Sequence, residues 1–245
     1  MQRSATLAPF VQQPENATLD DSSQMETLGM LRILVADDHD IARRGIRALL
    51  ENHPGWQVCG EAKDGRETVE MAATLKPDLI LLDIGMPNLN GLEATRQILA
   101  TSPDALILIL TMHDTDQVVR EVLRAGARGF LLKSDAGRDL MAAVEALQNH
   151  RTFFTTKVSQ MVLSGFLNRD GRPDEDIDEN ALTAREREVI QLLAEGKTSK
   201  EVAVTLNLSV KTAETHRTNL MRKLDLHSVA DLTRYAVRNG IVQVF

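Results

Sequence analysis

Three aspartates stand where apolar runs of the chain give out: Asp37 and Asp38 after LRILVA, and Asp83 after DLILL. Thr111 closes LILIL in the same way, and Lys133 closes GFLL. Carboxylates gathered at strand ends suit a hard divalent cation such as Mg²⁺, which takes oxygen ligands through one or two carboxylates plus phosphate oxygens and water. Three carboxylates without a countercharge repel one another, so a cation is close to a requirement. A carboxylate so placed can also attack phosphorus and become an aspartyl phosphate. A lysine then neutralises charge on the transferring phosphoryl group, and a hydroxyl donates to one of its oxygens. Asp83, Asp37, Asp38, Lys133 and Thr111 supply those parts. His39 and His113 flank them, but no further His or Cys completes a transition-metal set, and both read as residues around the crevice rather than ligands.

A second chemistry lies near the other end. Ser209–Leu224, SVKTAETHRTNLMRKL, has a serine where a helix cap belongs and a basic, hydroxyl-rich face. Thr198–Leu206 is a shorter helical stretch before it, and Asn207-Leu208-Ser209 joins the two. Two helices across so short a turn make a helix-turn-helix, whose second helix can enter a DNA major groove. Val210, Ala213, Leu220 and Leu224 are the expected core-facing residues of that helix. Lys211, Glu214, Thr215, Thr218 and Arg222 are expected to face outward, where Lys and Arg suit phosphates or guanine and Thr suits either phosphate or base.

Both sites need scaffolding. From Leu31 to Asn149, five strand-like runs alternate with five helical stretches: LRILVAD, WQVCGEA, DLILLD, LILILT and GFLLK against Ile41–Glu51, Gly65–Leu75, Leu92–Thr101, Asp116–Ala125 and Gly137–Asn149. Ile41, Ile46, Leu49 and Leu50 mark the expected buried face of the first helix. Such alternation predicts an α/β fold, a doubly wound five-stranded parallel sheet with its ligand crevice at the carboxyl ends of the strands. Asp40 and Asp135 are expected to be turn formers or caps without chemistry. Thr152–Leu167 is expected to form one more helix, and NRDGRPDEDIDEN an acidic, solvated linker. Ala181–Phe245 predicts four helices, a smaller all-α unit, with Thr183 and Glu186 spaced as a capping box and Gly196 as a C-terminal cap. The expected organisation is therefore a disordered tail at 1–30, an α/β domain at 31–150, a linker helix and acidic linker at 151–180, and a helix-turn-helix domain at 181–245.

The charge distribution agrees with two roles. The chain carries −7 overall. Ala181–Phe245 holds ten Lys and Arg against seven Asp and Glu, whereas Leu31–His150 holds thirteen against eighteen. An acidic module is thus joined to a mildly basic one that faces DNA. No apolar run approaches the roughly 18 residues of a membrane span, so no membrane partner is expected. One cysteine, Cys59, excludes an intrachain disulfide and favours a reducing cytoplasmic location. It reads as a small core residue rather than a nucleophile.

VADDHD, LLDIGMPNLNG, LTMHD and GARGFLLK resemble, in order, the signature segments of the response-regulator receiver domain, a flavodoxin-like fold, over Leu31–His150. The resemblance implies Asp83 as phosphoacceptor, with Asp37, Asp38, Asp83 and the backbone carbonyl of Gly85 around Mg²⁺. It implies Thr111 and Lys133 as phosphoryl contacts and Phe130 as the aromatic switch residue. Ser134 departs from the pattern, since receivers often have a cis proline after the lysine; the backbone there is left open. The C-terminal segment resembles the LuxR-type helix-turn-helix over its full length. Together the two resemble the NarL/FixJ type of two-component response regulator. That implies Glu214, Thr215 and Thr218 as base-reading residues, and Lys200, Lys211, Arg217 and Asn219 as phosphate contacts. It also implies double-stranded DNA and a sensor histidine kinase as partners, and a homodimer when phosphorylated, helped by the last helix. The output would be promoter binding, not substrate turnover.

Two rivals differ in kind. Haloacid-dehalogenase-type phosphatases also use an aspartate nucleophile with Mg²⁺, but place it on the first strand in a DxD pattern. Here the first strand ends in Asp-Asp, the candidate nucleophile is on the third, and no cap domain is visible. A constitutive DNA-binding protein whose receiver only dimerises would not need the acid cluster, Thr111 and Lys133.

Overall fold

The computed structural model describes residues 30–112, 115–155, 158–160 and 182–242. The expected tail up to residue 29, His113 and most of the expected linker lie outside the described residues.

Five strands, β1 (Leu31–Ala36), β2 (Trp56–Ala62), β3 (Leu79–Asp83), β4 (Leu106–Thr111) and β5 (Gly129–Leu132), alternate with α1 (Asp40–Glu51), α2 (Gly65–Leu75), α3 (Gly91–Thr101), α4 (Asp116–Ala125) and α5 (Ala136–Gln148). All pair in parallel, in the order β2-β1-β3-β4-β5. β3 and β4 are buried along their whole length. That is why their sequences run apolar without alternation: helices cover both faces of the sheet. One core layer gathers Leu34, Ile80, Leu82, Ile107, Ile109 and Phe130 under α2, α3 and α4; the other gathers Ile33, Val35, Leu79, Leu81, Leu108 and Leu131 under α1 and α5. Helix starts follow local chemistry. Asp64, Asn90 and Thr115 cap α2, α3 and α4 by accepting backbone N–H bonds that the first turn cannot satisfy internally.

The smaller unit is four helices, α6 (Ala184–Ala194), α7 (Ser199–Thr205), α8 (Val210–Lys223) and α9 (Val229–Arg238). Thr183 with Glu186, and Thr198 with Glu201, close full capping boxes at α6 and α7. Gly196 follows α6 with φ +89°, a left-handed exit that favours glycine. Val189, Leu192, Val202, Ala213, Leu220 and Leu232 form the core of this unit.

Three expectations need correction. Ile41 is 88% exposed and Leu49 37%, so the inward face of α1 is Arg43, Ile46 and Leu50. The Arg43 guanidinium can be buried because it donates to the Asp37 carbonyl (2.7 Å) and pairs with Asp40 and Glu61. Asp40 is accordingly a partner of Arg43 at the start of α1, and Asp135 lies in a single 3₁₀ turn, Lys133–Asp135, before α5. Val210 is 39% exposed rather than part of the core, because it is the first residue of α8 and lies beyond the packed layer. Of the helix expected over Thr152–Leu167, Thr152–Thr155 is not helical, residues 158–160 are, and the remainder lies outside the described residues. Phe153 instead forms a parallel bridge with Gly129, its N–H donating to the Arg128 carbonyl and its carbonyl accepting from Phe130. No peptide bond among the described residues is cis, so Ser134 follows Lys133 in the trans form.

The two units touch. The loop after β3 and the start of α3 meet α6 and the segment after α9. Arg66 pairs with Glu188 (2.9 Å), Gln97 donates to Glu188 (2.8 Å), and Arg187 lies 3.8 Å from Glu93. No helix among the described residues is long and apolar enough to cross a membrane.

Candidate functional site

β1 and β3 are neighbours, yet the chain leaves β1 toward β2 on one side and returns to β3 on the other. This is the switch point of the sheet, where the connecting loops part and leave a crevice. Asp37 and Asp38 follow β1, and Asp83 is the last residue of β3. Their carboxylate oxygens, with a ring nitrogen of His39, all lie within 4.8 Å of one another. Octahedral ligands on bonds of about 2.0–2.1 Å stand roughly 3–4 Å apart, so the three carboxylates fit a small hard cation. His39 donates its backbone N–H to Asp37 Oδ1 (2.9 Å) and sets Nδ1 2.7 Å from Asp38 Oδ1. A nitrogen suits such a cation less well than oxygen, and this ring braces Asp38.

Lys133 enters from the end of β5. Its Nζ stands 2.9 Å from Asp37 Oδ2 and 2.8 Å from Asp83 Oδ2. Burial pushes the Asp83 carboxyl above its ordinary value, Lys133 pulls it back, and Asp37 and Asp38 raise it further. Burial works against the Lys133 ammonium, but Asp83 and Asp37 together hold its proton more tightly than usual. One ammonium among three carboxylates leaves the crevice negative, which is the electrostatic condition for a divalent cation.

The backbone is close-packed here. A Cβ at Gly91 would lie 2.0 Å from the Asp83 carbonyl oxygen, so α3 can start against the end of β3 only with glycine. Thr111 is fully buried at the end of β4. Phe130, paired in register with Ile109, lies on the same sheet face as Thr111 and is 1% exposed. Gly85 follows in the loop after β3. The structure thus brings Asp37, Asp38, Asp83 and Lys133 together and sets Thr111 and Gly85 at the same edge. Cys59 is half-buried on β2 rather than in the core, and its partial burial pushes the thiol up.

On the smaller unit, α7 and α8 are joined through Leu206, Asn207, Leu208 and Ser209, with Asn207 at φ 52°. Ser209 caps α8, and Ala213 and Leu220 fix its inner side. Lys211, Glu214, Thr215, Thr218, Asn219 and Arg222 are exposed on it, as is Lys200 on α7; Arg217 is half-buried. Thr215 and Thr218 each donate to the carbonyl four residues back, to Lys211 (2.8 Å) and Glu214 (2.9 Å).

Sequence reasoning missed two groups of residues around these sites. Arg43 escaped because a buried arginine looks polar in a pattern. Asn88, Asn90, Glu188, Gln191 and Glu195, which join the units, are paired across about a hundred residues and carry no local signal.

The comparisons with known proteins agree with this architecture. Residues 33–145 match the response regulator receiver domain family, and residues 180–236 match the luxR family of bacterial regulatory proteins. The transcriptional regulatory protein LiaR of Bacillus subtilis is 39% identical over 213 residues, covering 87% of this chain and all of LiaR. The response regulator UvrY of Escherichia coli is 33% identical over 214 residues, 86% of this chain and 96% of UvrY. Among solved structures, RcsB of Salmonella typhimurium superposes with a TM-score of 0.58 at 28% identity, over 86% of this chain and 98% of that one. RcsB has also been solved bound to the promoter rprA in the presence of phosphomimetic BeF3- (TM-score 0.53, 30% identity, covering 84% of this chain and 97% of that one). Both matched modules are regulatory, and neither is a catalytic enzyme fold. The chain belongs to the NarL/FixJ-type two-component response regulators, DNA-binding proteins that join a receiver domain to a LuxR-type helix-turn-helix.

Proposed function

We propose that this protein is a transcription regulator whose promoter binding is switched by phosphorylation of Asp83, with a sensor histidine kinase as donor. The observation that carries the reading is the Lys133 ammonium bridging Asp37 and Asp83 at the switch point of the sheet. In the transfer step an Asp83 oxygen attacks phosphorus. The new O–P bond forms as the donor's N–P bond breaks, and the departing imidazole nitrogen keeps the electron pair and takes a proton from water. Lys133 holds positive charge where the phosphoryl oxygens gather. Mg²⁺, held by the carboxylates of Asp37, Asp38 and Asp83 and the carbonyl of Gly85, supplies charge neutralisation when bound. Thr111 turns its hydroxyl toward a phosphoryl oxygen, and Phe130 repacks on the same face of the sheet. The change reaches the DNA-binding unit by freeing it to pair with a second copy, which reads two half-sites.

Binding of the full-length protein to a two-half-site operator should tighten by about 5–150-fold with acetyl phosphate and Mg²⁺, the usual size of a coupling between two sites. Equal affinity with and without the donor, when phosphorylation has been verified, would favour constitutive binding.

Division of labour on α8 and α7 gives a second expectation. We assign Glu214, Thr215 and Thr218 to bases and Lys200, Lys211, Arg217 and Asn219 to phosphates. Lys211→Ala should weaken all DNA sequences alike and reduce the salt slope by about one, while Thr218→Ala costs roughly 1–3 kcal/mol on the preferred site only. A Lys211→Ala variant that changes site preference, with Thr218→Ala leaving it intact, would reverse the assignment.

A further inference from the structure

The side chain of Gln191, on α6 of the DNA-binding unit, is bound into the receiver's phosphoacceptor loop. Its Oε1 accepts the Asn90 N–H (2.8 Å), and its Nε2 donates to the Met86 carbonyl (3.0 Å). A single amide thus spans residues 86–90 as a neighbouring strand would. Gln191 is 2% exposed and Asn90 6%, so the contact is dry. Around it, the Asn88 N–H donates to Glu195 (3.2 Å), Lys197 donates to the Asn88 side chain, and the Asn90 amide donates to the Ile241 carbonyl (2.9 Å). At the other end of the contact, charges are exchanged between the units. Glu188 of one faces Arg66 of the other, and Glu93 of the receiver faces Arg187. Glu93 and Glu188 have side chains only 2% and 9% exposed, so parting the units removes the cross-unit partner of each.

The clamped loop is the one that follows Asp83 and contains Gly85. Between the units lies a cleft of about 120 Å³ lined by Asp38, Gly85 and Met86 on one side and Glu195, Ile241 and Val242 on the other. The Glu195 carboxylate on that wall accepts from the Asn88 N–H and from Gln191 (2.8 Å) and lies 3.9 Å from Lys197, so it ties the clamp to the loop. Gly85 directly precedes Met86, whose carbonyl Gln191 holds, so a cation drawn to the Gly85 carbonyl would pull on a stretch of backbone that the clamp restrains. The Lys133 ammonium meanwhile occupies the space between Asp37 and Asp83.

We propose that Gln191 is a positioning residue for the phosphoryl-transfer site, supplied by the DNA-binding unit, and that its grip on the loop opposes loading of the cation and of Asp83. The inference rests on the reading of Asp83 as phosphoacceptor. The control falls on the chemistry of the receiver, since Lys211, Glu214, Thr215 and Thr218 stay exposed while the units touch. Reciprocity then makes loading the force that opens the contact.

The test uses the full-length chain with two readouts: Mg²⁺ affinity by calorimetry without any donor, and the initial rate of acetyl phosphate incorporation by intact mass. Gln191→Ala, and Arg66→Glu on the half-buried rim of the receiver, should each raise both by at least about fivefold, the lower end of an ordinary coupling. Arg66→Glu combined with Glu188→Arg should return both toward wild type, which a merely destabilised fold would not do. Gln191 is buried, so Arg66→Glu decides the matter if Gln191→Ala fails to fold. Unchanged affinity and rate in Arg66→Glu would overturn the proposal, as would small-angle scattering that shows separated units in the unphosphorylated wild type. If no variant and no wild type incorporates phosphate, the assignment of Asp83 fails, and the Mg²⁺ isotherms still judge the clamp.

Discussion

Asp83→Asn is expected to incorporate no phosphoryl group from a small phosphodonor and Mg²⁺, where wild type incorporates one at residue 83. Asparagine keeps the shape of the side chain, and its amide oxygen can still accept from Lys133, which stands 2.8 Å from Asp83 Oδ2. What is lost is the anionic oxygen that attacks phosphorus, and an amide has no comparable nucleophile. The substitution also removes one charge from a crowded acidic crevice, so the fold has no reason to fail. Peptide mapping by mass spectrometry is the measurement, with circular dichroism as the control for folding. Equal incorporation at another residue in wild type would sink the assignment. The same variant should leave operator binding insensitive to the donor.

Lys133→Ala should cost the cation-free protein about 3 kcal/mol, the low end for stripping one partner from a buried ionic cluster. Lys133 contacts Asp37 and Asp83, whose side chains are 1% and 5% exposed, and nothing else among the described groups brings positive charge to both. Trp56, the single tryptophan, lies buried at the start of β2, so its fluorescence follows unfolding of the receiver in urea. The sign with pH is fixed by the carboxylates. Burial already raises Asp83, and removing the lysine raises it further. A carboxyl raised in the folded state favours folding when protonated and opposes it once ionised, so the deficit should be largest near neutral pH and shrink as the pH falls toward the carboxylate range. Mg²⁺ should restore much of the loss, since a ligand at a hundred times its Kd contributes about 2.7 kcal/mol. A variant as stable as wild type at pH 7 without Mg²⁺ would show that the cluster does not depend on Lys133.

Much of the architecture could be read from local patterns because local physics dictates it. LILL before Asp83 and LILIL before Thr111 are apolar at every position, and only a strand covered on both faces needs that. Thr183 with Glu186 is visible in sequence because a capping box closes within one helical turn. The convergence of Asp37, Asp38, Asp83 and Lys133 followed from strand ends meeting at one edge of a parallel sheet. The face of α1 was misread for a physical reason. At about 100° per residue, Ile41 lies about 180° round from Leu50. The true inner face passes through Arg43, whose charge is neutralised by partners from other elements. Thr152–Thr155 went to an edge bridge because the carbonyl and N–H of Phe153 found partners on β5 and just before it. The contact between the units was illegible because amides such as Gln191 and Asn90 carry no periodicity, and their pairing depends on how two finished domains meet.

The open face of α8 bears on how the regulator finds its promoter. Lys211, Thr215 and Thr218 are in solvent while the units remain joined; on the proposed assignment the resting protein would ride nonspecifically along DNA through phosphate contacts. Encounter with the operator then needs no prior chemistry. Phosphorylation would act on residence, lengthening the stay of a protein already searching, and its mark in kinetics would be a slower departure with a nearly constant arrival rate.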